Sequence, residues 1–297
     1  MEPGTEVAPP PADRDFPIIG LGASAGGLEA FEKFFKQMPP DTGMAFVLVQ
    51  HLDATHKSIL ADLIQRYTKM PAVQVDQGML IEPNHVYVIP PNRYLAVEGG
   101  AFRLSKSGES PGQKMPIDFL FRSLAADRGE KAIAVILSGT GTDGTLGLKA
   151  VKESGGMVMV ESERSAKYDG MPRSAVATGI VDYVLPVEEM PAKLIHFVDG
   201  FSTIREALAS EEPSDETTKE LRRIFSLLRA RTGHDFSYYK LQTLLRRIAR
   251  RMQLHHLASL VDYVAYLEAN ATEVDQLFKE FLISVTNFFR DPVVFET

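Results

Sequence analysis

A serine, a histidine and an aspartate each stand just past an apolar run that reads as a buried strand. Ser24 lies in Gly22-Ala23-Ser24-Ala25-Gly26-Gly27 after the run 17–21, and His51 follows the run 44–49 in Gln50-His51-Leu52. Asp143 lies in Ser138-Gly139-Thr140-Gly141-Thr142-Asp143-Gly144 after the run 132–137. Open parallel sheets place ligands outside the carboxyl ends of their strands, where strand order reverses. Three such ends bearing Ser, His and Asp supply a nucleophile, a base and a group that orients the base, the parts needed for acyl transfer. The turn around Ser24 would expose its hydroxyl, and free N–H groups at the start of the following helix can hold an anion.

The same residues admit other chemistry. Gly20-Leu21-Gly22-Ala23-Ser24-Ala25 fits the G-x-G-x-x-A dinucleotide fingerprint, which wants an acidic residue near the end of the second strand. That strand ends in Gln50-His51, with Asp53 beyond. Gly139 and Gly144 have the spacing of a phosphate loop, but Thr145 follows where Lys-Ser/Thr is required. His51 and His56 suggest a metal pair, yet no third ligand cluster accompanies them, so no metal is expected. Taken singly, the glycines make tight turns, His51 closes a strand and Asp143 caps a helix starting at Thr145. A non-catalytic signalling scaffold is the corresponding function.

The 297 residues allow one large domain or two ordinary ones, and contain no cysteine, which excludes thiol catalysis and zinc-thiolate sites. No apolar run approaches the roughly 20 residues that span a bilayer. Residues 1–14 are proline-rich, without the charged start and apolar core of a signal peptide. Residues 1–15 are therefore expected to form a disordered tail and the chain to be cytoplasmic, with no membrane insertion. Residues 216–297 carry 12 Lys and Arg against 10 Asp and Glu, a net of +2, which leaves −9 of the overall −7 to residues 1–215. Such unevenness suggests a second module with its own partner.

Up to about residue 200, β-rich runs alternate with helical patterns. Strands are expected at 17–21, 44–49, 86–89, 132–137 and 157–160, with a hairpin of 94–97 and 102–104 around Gly99-Gly100. Leu28, Phe31, Phe35 and Met38 make a helical stripe ended by Pro39-Pro40, and 58–67, 118–126 and 145–153 read as further helices. The pattern predicts a doubly wound, mostly parallel α/β domain over 16–200 with a hairpin insertion. An acidic, proline-broken linker is expected over 201–218, then a small all-α module over 219–297 with helices at 221–231, 239–253, 257–270 and 273–285.

Four segments, Ile19-Gly20-Leu21-Gly22-Ala23-Ser24-Ala25-Gly26-Gly27, Gln50-His51, Leu137-Ser138-Gly139-Thr140-Gly141-Thr142-Asp143-Gly144 and Gly170-Met171-Pro172, resemble in order the catalytic domain of bacterial chemotaxis protein-glutamate methylesterases. The resemblance covers roughly 16–198. It implies that Ser24 is the nucleophile, His51 the general base and Asp143 the orienting carboxylate. The backbone N–H groups of Ala25 and Thr140 would bind the oxyanion, and Gly141 and Met171 would form the substrate wall. The implied reaction is hydrolysis of glutamyl γ-methyl esters on a chemoreceptor, with deamidation of glutamine in some members and no cofactor. Where the family often has Arg-Pro-Ser-Val-Asp, this chain has Lys114-Met115-Pro116-Ile117-Asp118, so substrate contacts there are in question. Residues 1–14 are too short for the phosphoacceptor domain that members commonly carry, and no response to a phosphodonor is expected.

Arg246, Arg247, Arg250 and Arg251 form two i, i+4 pairs, and Leu241, Leu244, Leu245, Ile248 and Met252 lie opposite. A solvated basic face or a nucleic-acid footprint would account for them, but the module nets only +2 and lacks interleaved aromatics, so no nucleic acid is expected. The segment 236–251, together with 263–267 and Thr286-Asn287-Phe288-Phe289-Arg290-Asp291, resembles the N-terminal helical domain of chemotaxis receptor methyltransferases. That resemblance implies that the basic helix recognises the acidic receptor and that Arg290 contacts S-adenosylmethionine. A cofactor domain would need about 100 further residues, so the chain reads as the first portion of a methylesterase–methyltransferase fusion, with S-adenosylmethionine relevant only if that domain were present.

Overall fold

The computed structural model describes residues 16–50, 59–106, 115–208, 215–236 and 239–285. The chain divides into two compact units, Met1–Glu188 and Glu189–Thr297. The division falls before the expected boundary at 200, because the helix that starts at Met190 belongs to the second unit.

The first unit opens with β1 (Ile18–Ala23), a strand of six fully buried residues, and α1 (Gly27–Gln37). Then come β2 (Ala45–Gln50), the short α2 (Leu60–Ile64), β3 (Ala72–Gln74) and β4 (Val86–Val88). A hairpin follows, β5 (Arg93–Glu98) with β6 (Ala101–Lys106), turning at Gly99 and Gly100, which both have positive φ. The unit continues with α3 (Pro116–Arg128), β7 (Ala132–Ile136), α4 (Thr145–Glu153), β8 (Met157–Glu161), α5 (Gly170–Val176) and β9 (Tyr183–Leu185). Seven strands form one sheet in the order β3-β4-β2-β1-β7-β8-β9, and every pairing is parallel. The strand order runs outward in both directions from β1, so the crevice of the doubly wound fold lies at the carboxyl ends of β1 and β7.

Alternation along the strands sends the two faces to different helices. Phe34 and Phe35 of α1 meet Phe46 of β2 edge-on, with ring centroids 6.1 and 5.7 Å apart. On the opposite face, Ile18, Val47, Ala134 and Val158 pack with Leu120 and Phe121 of α3 and Leu148 of α4 in one buried cluster. Glycines at 20 and 22 make this face close-fitting. A Cβ at Gly20 would lie 2.8 Å from the Phe121 ring, and one at Gly22 would overlap the Ile117 side chain.

The dinucleotide fingerprint loses its footing here. Gly20 and Gly22 sit inside β1, paired between β2 and β7, and not in the turn that a pyrophosphate would approach. They are small because α3 packs on them.

The described secondary-structure elements of the second unit are all helices: α6 (Met190–Leu208), α7 (Asp215–Thr232), α8 (Leu241–Leu254), α9 (Leu260–Ala269) and α10 (Ala271–Val285). A single apolar cluster joins α7 to α10, with Ile224, Leu228, Phe236, Ile248, Tyr263, Val264 and Leu277 buried together. The expected linker over 201–218 is corrected at both ends. Residues 201–208 continue α6, and α7 begins at Asp215, while residues 209–214 lie outside the described ones. Among the described residues, no helix is long and apolar enough to cross a membrane.

Candidate active site

Ser24 follows the last residue of β1, at the crevice. A tight turn reverses the chain, with Gly27 N–H donating to Ser24 O at 3.0 Å and Gly26 in the left-handed region at φ 78°. That conformation suits glycine, and a Cβ there would also collide with Ser138 Oγ at 2.6 Å. Ser24 is half-buried, and its hydroxyl has no hydrogen-bond partner among the described residues. From the neighbouring strand, Gln50 Nε2 donates to Ser24 O at 3.4 Å, so β2 ends against the same turn. His51, Asp53 and His56 lie outside the described residues.

The loop after β7 is fastened to this turn through Ser138. Ser24 N–H donates to Ser138 O at 3.0 Å, Ser138 Oγ donates to Ala25 O at 3.0 Å, and Tyr168 N–H donates to Ser138 Oγ at 2.9 Å. Gly139 is engaged on both sides, its N–H donating to Tyr168 O and its carbonyl accepting from Met171 N–H, both at 2.9 Å. The backbone N–H groups of Ser24, Gly27, Ser138 and Gly139 are thus committed, whereas those of Ala25 and Thr140 have no acceptor among the described residues. Uncommitted N–H groups flanking a serine are what an oxyanion needs.

Two supports of this loop go beyond the sequence reading. Glu161, at the end of β8, is 2 % exposed and accepts from Ser138 N–H at 2.8 Å and from Ser165 Oγ at 2.9 Å. Burial pushes its carboxyl up, only partly countered by those hydrogen bonds. The sequence signal is a lone acidic residue ending an otherwise apolar strand. Met171, expected on the substrate wall, is instead fully buried, and its sulfur fills the space beneath Gly139 that a Cβ would need. It supports the loop from inside. Gly141 is exposed with φ 87°, on the open side of the loop.

Asp143 is buried, and its carboxylate is held by backbone amides. Oδ2 accepts from Ile117 N–H at 3.0 Å, and Oδ1 accepts from Asp118 N–H at 3.0 Å and Gly144 N–H at 2.8 Å. The helix it caps is therefore α3, and not the α4 that begins two residues later. The segment Met115-Pro116-Ile117-Asp118, at issue for substrate contact, is the start of α3, and Ile117 and Asp118 serve as the cradle of Asp143.

The basic helix of the second unit is also corrected. Arg247, Arg250 and Arg251 are buried and paired with α10: Arg250 Nη1 lies 2.7 Å and Arg247 Nη1 3.6 Å from Glu280 Oε1, and Arg251 Nε donates to Glu273 Oε1 at 2.8 Å. Tyr263 Oη and His255 Nε2 meet the same Glu273 carboxylate at 2.9 and 2.7 Å. Burial alone would raise the Glu273 pKa, but the hydrogen bonds and charges of His255 and Arg251 hold it at about 2. Helix α8 is enclosed on both sides, by the apolar cluster and by α10, so only Arg246 of the four arginines is exposed. Glu273 and Glu280, two turns apart on one helix face, are the signal in the sequence. Arg290 lies outside the described residues.

With the crevice and its loops described, similarity to known proteins decides the family. Residues 19–194 match the CheB methylesterase family. The chain belongs to it. Residues 219–282 match the all-alpha domain of CheR methyltransferases, so the chain joins the two. The crystal structure of the Thermotoga maritima CheB methylesterase catalytic domain superposes with a TM-score of 0.57 at 29 % identity, covering 62 % of this chain and 99 % of that one. A protein-glutamate methylesterase/protein-glutamine glutaminase of Geobacillus kaustophilus is 35 % identical over 187 residues, which are 61 % of this chain and 53 % of that protein. A 104.1 kDa protein from the hypE 3′ region of Rhodobacter capsulatus is 36 % identical over 252 residues, which are 78 % of this chain and 26 % of that protein. The CheB-type unit thus spans about half of one full-length relative, and the chain about a quarter of the other.

Proposed function

We propose that this CheB-family chain hydrolyses glutamyl γ-methyl esters of chemoreceptors in the cytoplasm, giving glutamate and methanol, and deamidates receptor glutamines by the same route. Ser24 Oγ attacks the ester carbonyl while His51 takes its proton, with Asp143 holding the imidazole. The Ala25 and Thr140 N–H groups receive the oxyanion, and each such donor contributes about 2.7–4 kcal/mol in enzymes where one has been removed. Methanol leaves with the proton from His51, and water, activated by the same base, releases the glutamate. No cofactor takes part, since each step is a proton transfer or a displacement at the carbonyl carbon.

The observation that carries this reading is the pattern of committed and uncommitted groups at the switch point. Among the described residues, the N–H groups of Ser24, Gly27, Ser138 and Gly139 are hydrogen-bonded, whereas the Ser24 hydroxyl and the N–H groups of the Ala25-Gly26 and Thr140-Gly141 turns have no partner. Met115, Leu146 and Tyr168 are exposed apolar side chains on the segments that build the site, which suits a protein substrate better than a small ester. The test is methanol release from a methyl-esterified receptor fragment. Wild type is expected to release it and Ser24→Ala to lose at least about a thousandfold in rate. No release by wild type would favour a scaffold, and equal rates would remove Ser24 from the chemistry.

A further inference from the structure

Helices α3 and α4 both begin without a cap of their own. Neither Met115 nor Gly144, at the two N-cap positions, supplies a side-chain acceptor to the helix that follows. The first amides of a helix need acceptors, and a buried start without them is costly. Each helix is served by the other's carboxylate. Asp143, beside the start of α4, accepts from Ile117 and Asp118 N–H of α3. Asp118, in the first turn of α3, accepts from Gly147 N–H of α4 at 2.6 Å. Gly147 permits this closeness, because a Cβ there would lie 3.1 Å from the Asp118 backbone and 2.5 Å from Phe121 Cβ. Asp118 is 4 % exposed, and its Oδ2 has no hydrogen-bond partner among the described residues.

We propose that Asp118 is a positioning residue for the Ser24 site, fixing the Asp143 carboxylate by this exchange of caps. The inference rests on the assignment of Asp143 to the relay. Asp118 reaches Asp143 twice: its own N–H donates to Oδ1, and its side chain pins the first turn of α4, at whose start Gly144 N–H donates to the same oxygen. Freeing the start of α4 loosens Gly144 N–H, and through the shared Asp143 carboxylate the Ile117 and Asp118 amides that hold it from α3, while the surface that meets substrate is unchanged. The loss therefore falls on kcat and not on KM.

Asp118→Ala is expected to lower kcat for methanol release at least about tenfold with KM within about twofold. Asp118→Asn, whose amide oxygen still accepts from Gly147, is expected to stay within about threefold of wild type. Amide hydrogen exchange gives a readout independent of activity: Ile117 and Gly144 should lose at least about tenfold protection in Asp118→Ala and keep it in Asp118→Asn. Unchanged protection, an unchanged kcat in Asp118→Ala, or an Asn variant as impaired as the Ala variant overturns the proposal. Should Asp118→Ala not fold, Asp118→Glu replaces it, since one added methylene misplaces the acceptor, and the same loss of kcat and protection is expected. If Ser24→Ala releases methanol as fast as wild type, the Ser24 relay fails, and the exchange data alone then decide the cap exchange.

Discussion

The two units bury carboxylates in opposite ways. In the methylesterase unit, Asp143, Asp118 and Glu161 are held mainly by backbone amides. In the helical unit, Glu273 and Glu280 are held by arginine side chains. The consequences for charge differ in sign. Burial pushes Asp118 and Glu161 up, the Asp143 charge adding to the effect at Asp118, whereas at Glu273 the surrounding cations overcome burial and bring the pKa down to about 2. Amides fix position without adding a charge, so a carboxylate so held remains able to act on a histidine. Arginine pairs neutralise their partners and leave a locked strut. The first arrangement suits the role proposed for Asp143, and the second ties α8 to α10.

The largest effect that tests this contrast is at α10. Glu273→Gln leaves Arg251 buried beside a neutral partner and should destabilise the helical unit by about 3–5 kcal/mol. Urea unfolding followed in each unit is expected to show the loss in the helical transition and not in the other. The folded pKa of Glu273 is depressed, so its contribution is present above the unfolded value near 4.5 and disappears as pH falls toward 2. Arg250→Glu, which sets a second carboxylate against Glu280, should be comparably harmful, while Arg246→Glu on the exposed side should shift stability by no more than about 0.5 kcal/mol. Equal effects of the two reversals would return α8 to a solvated basic face.

A smaller effect of opposite sign is expected at Glu161. Its folded pKa is raised, so folding favours the protonated form. The stability it contributes is full below the unfolded value near 4.5 and is lost as pH rises through the folded pKa. Glu161→Gln, which can still accept from Ser138 N–H, should therefore be more stable than wild type at about pH 8 and indistinguishable from it at about pH 4. A Gln variant that is less stable at the higher pH would show that the amides favour the charge. At Gly139, the change to Ala should act on rate more than on stability. The added methyl would press on Ser24 Cβ 3.0 Å away as well as on the flexible end of Met171, so methanol release should fall about tenfold while the urea midpoint moves little.

What can be read from the sequence follows the physics of each signal. Continuous apolar runs locate the central strands to within a residue or two, since these strands are buried on both faces. The three-residue β3 and β9 and the short α5 carry too few residues for a period, and they escape it. Ser24 and Asp143 stand out as candidates because each lies in a glycine-rich segment directly after an apolar strand. The partners that aim them are not, because Ile117, Asp118 and Glu161 are brought to the crevice by long-range packing. The arginines mislead for a related reason: helical periodicity separates polar from apolar faces but does not say whether the polar face meets water or Glu273 and Glu280.

The central claim is that Ser24 and Asp143 act as one relay across the switch point, and a double-mutant cycle on methanol release tests it most directly. Wild type, Ser24→Ala, Asp143→Ala and the double variant are compared on one methyl-esterified receptor fragment. Members of a relay are not additive, so the double variant should be no slower than Ser24→Ala alone. Losses that multiply, with the double variant slower than Ser24→Ala by the full factor seen for Asp143→Ala, would show two independent contributions and contradict the relay.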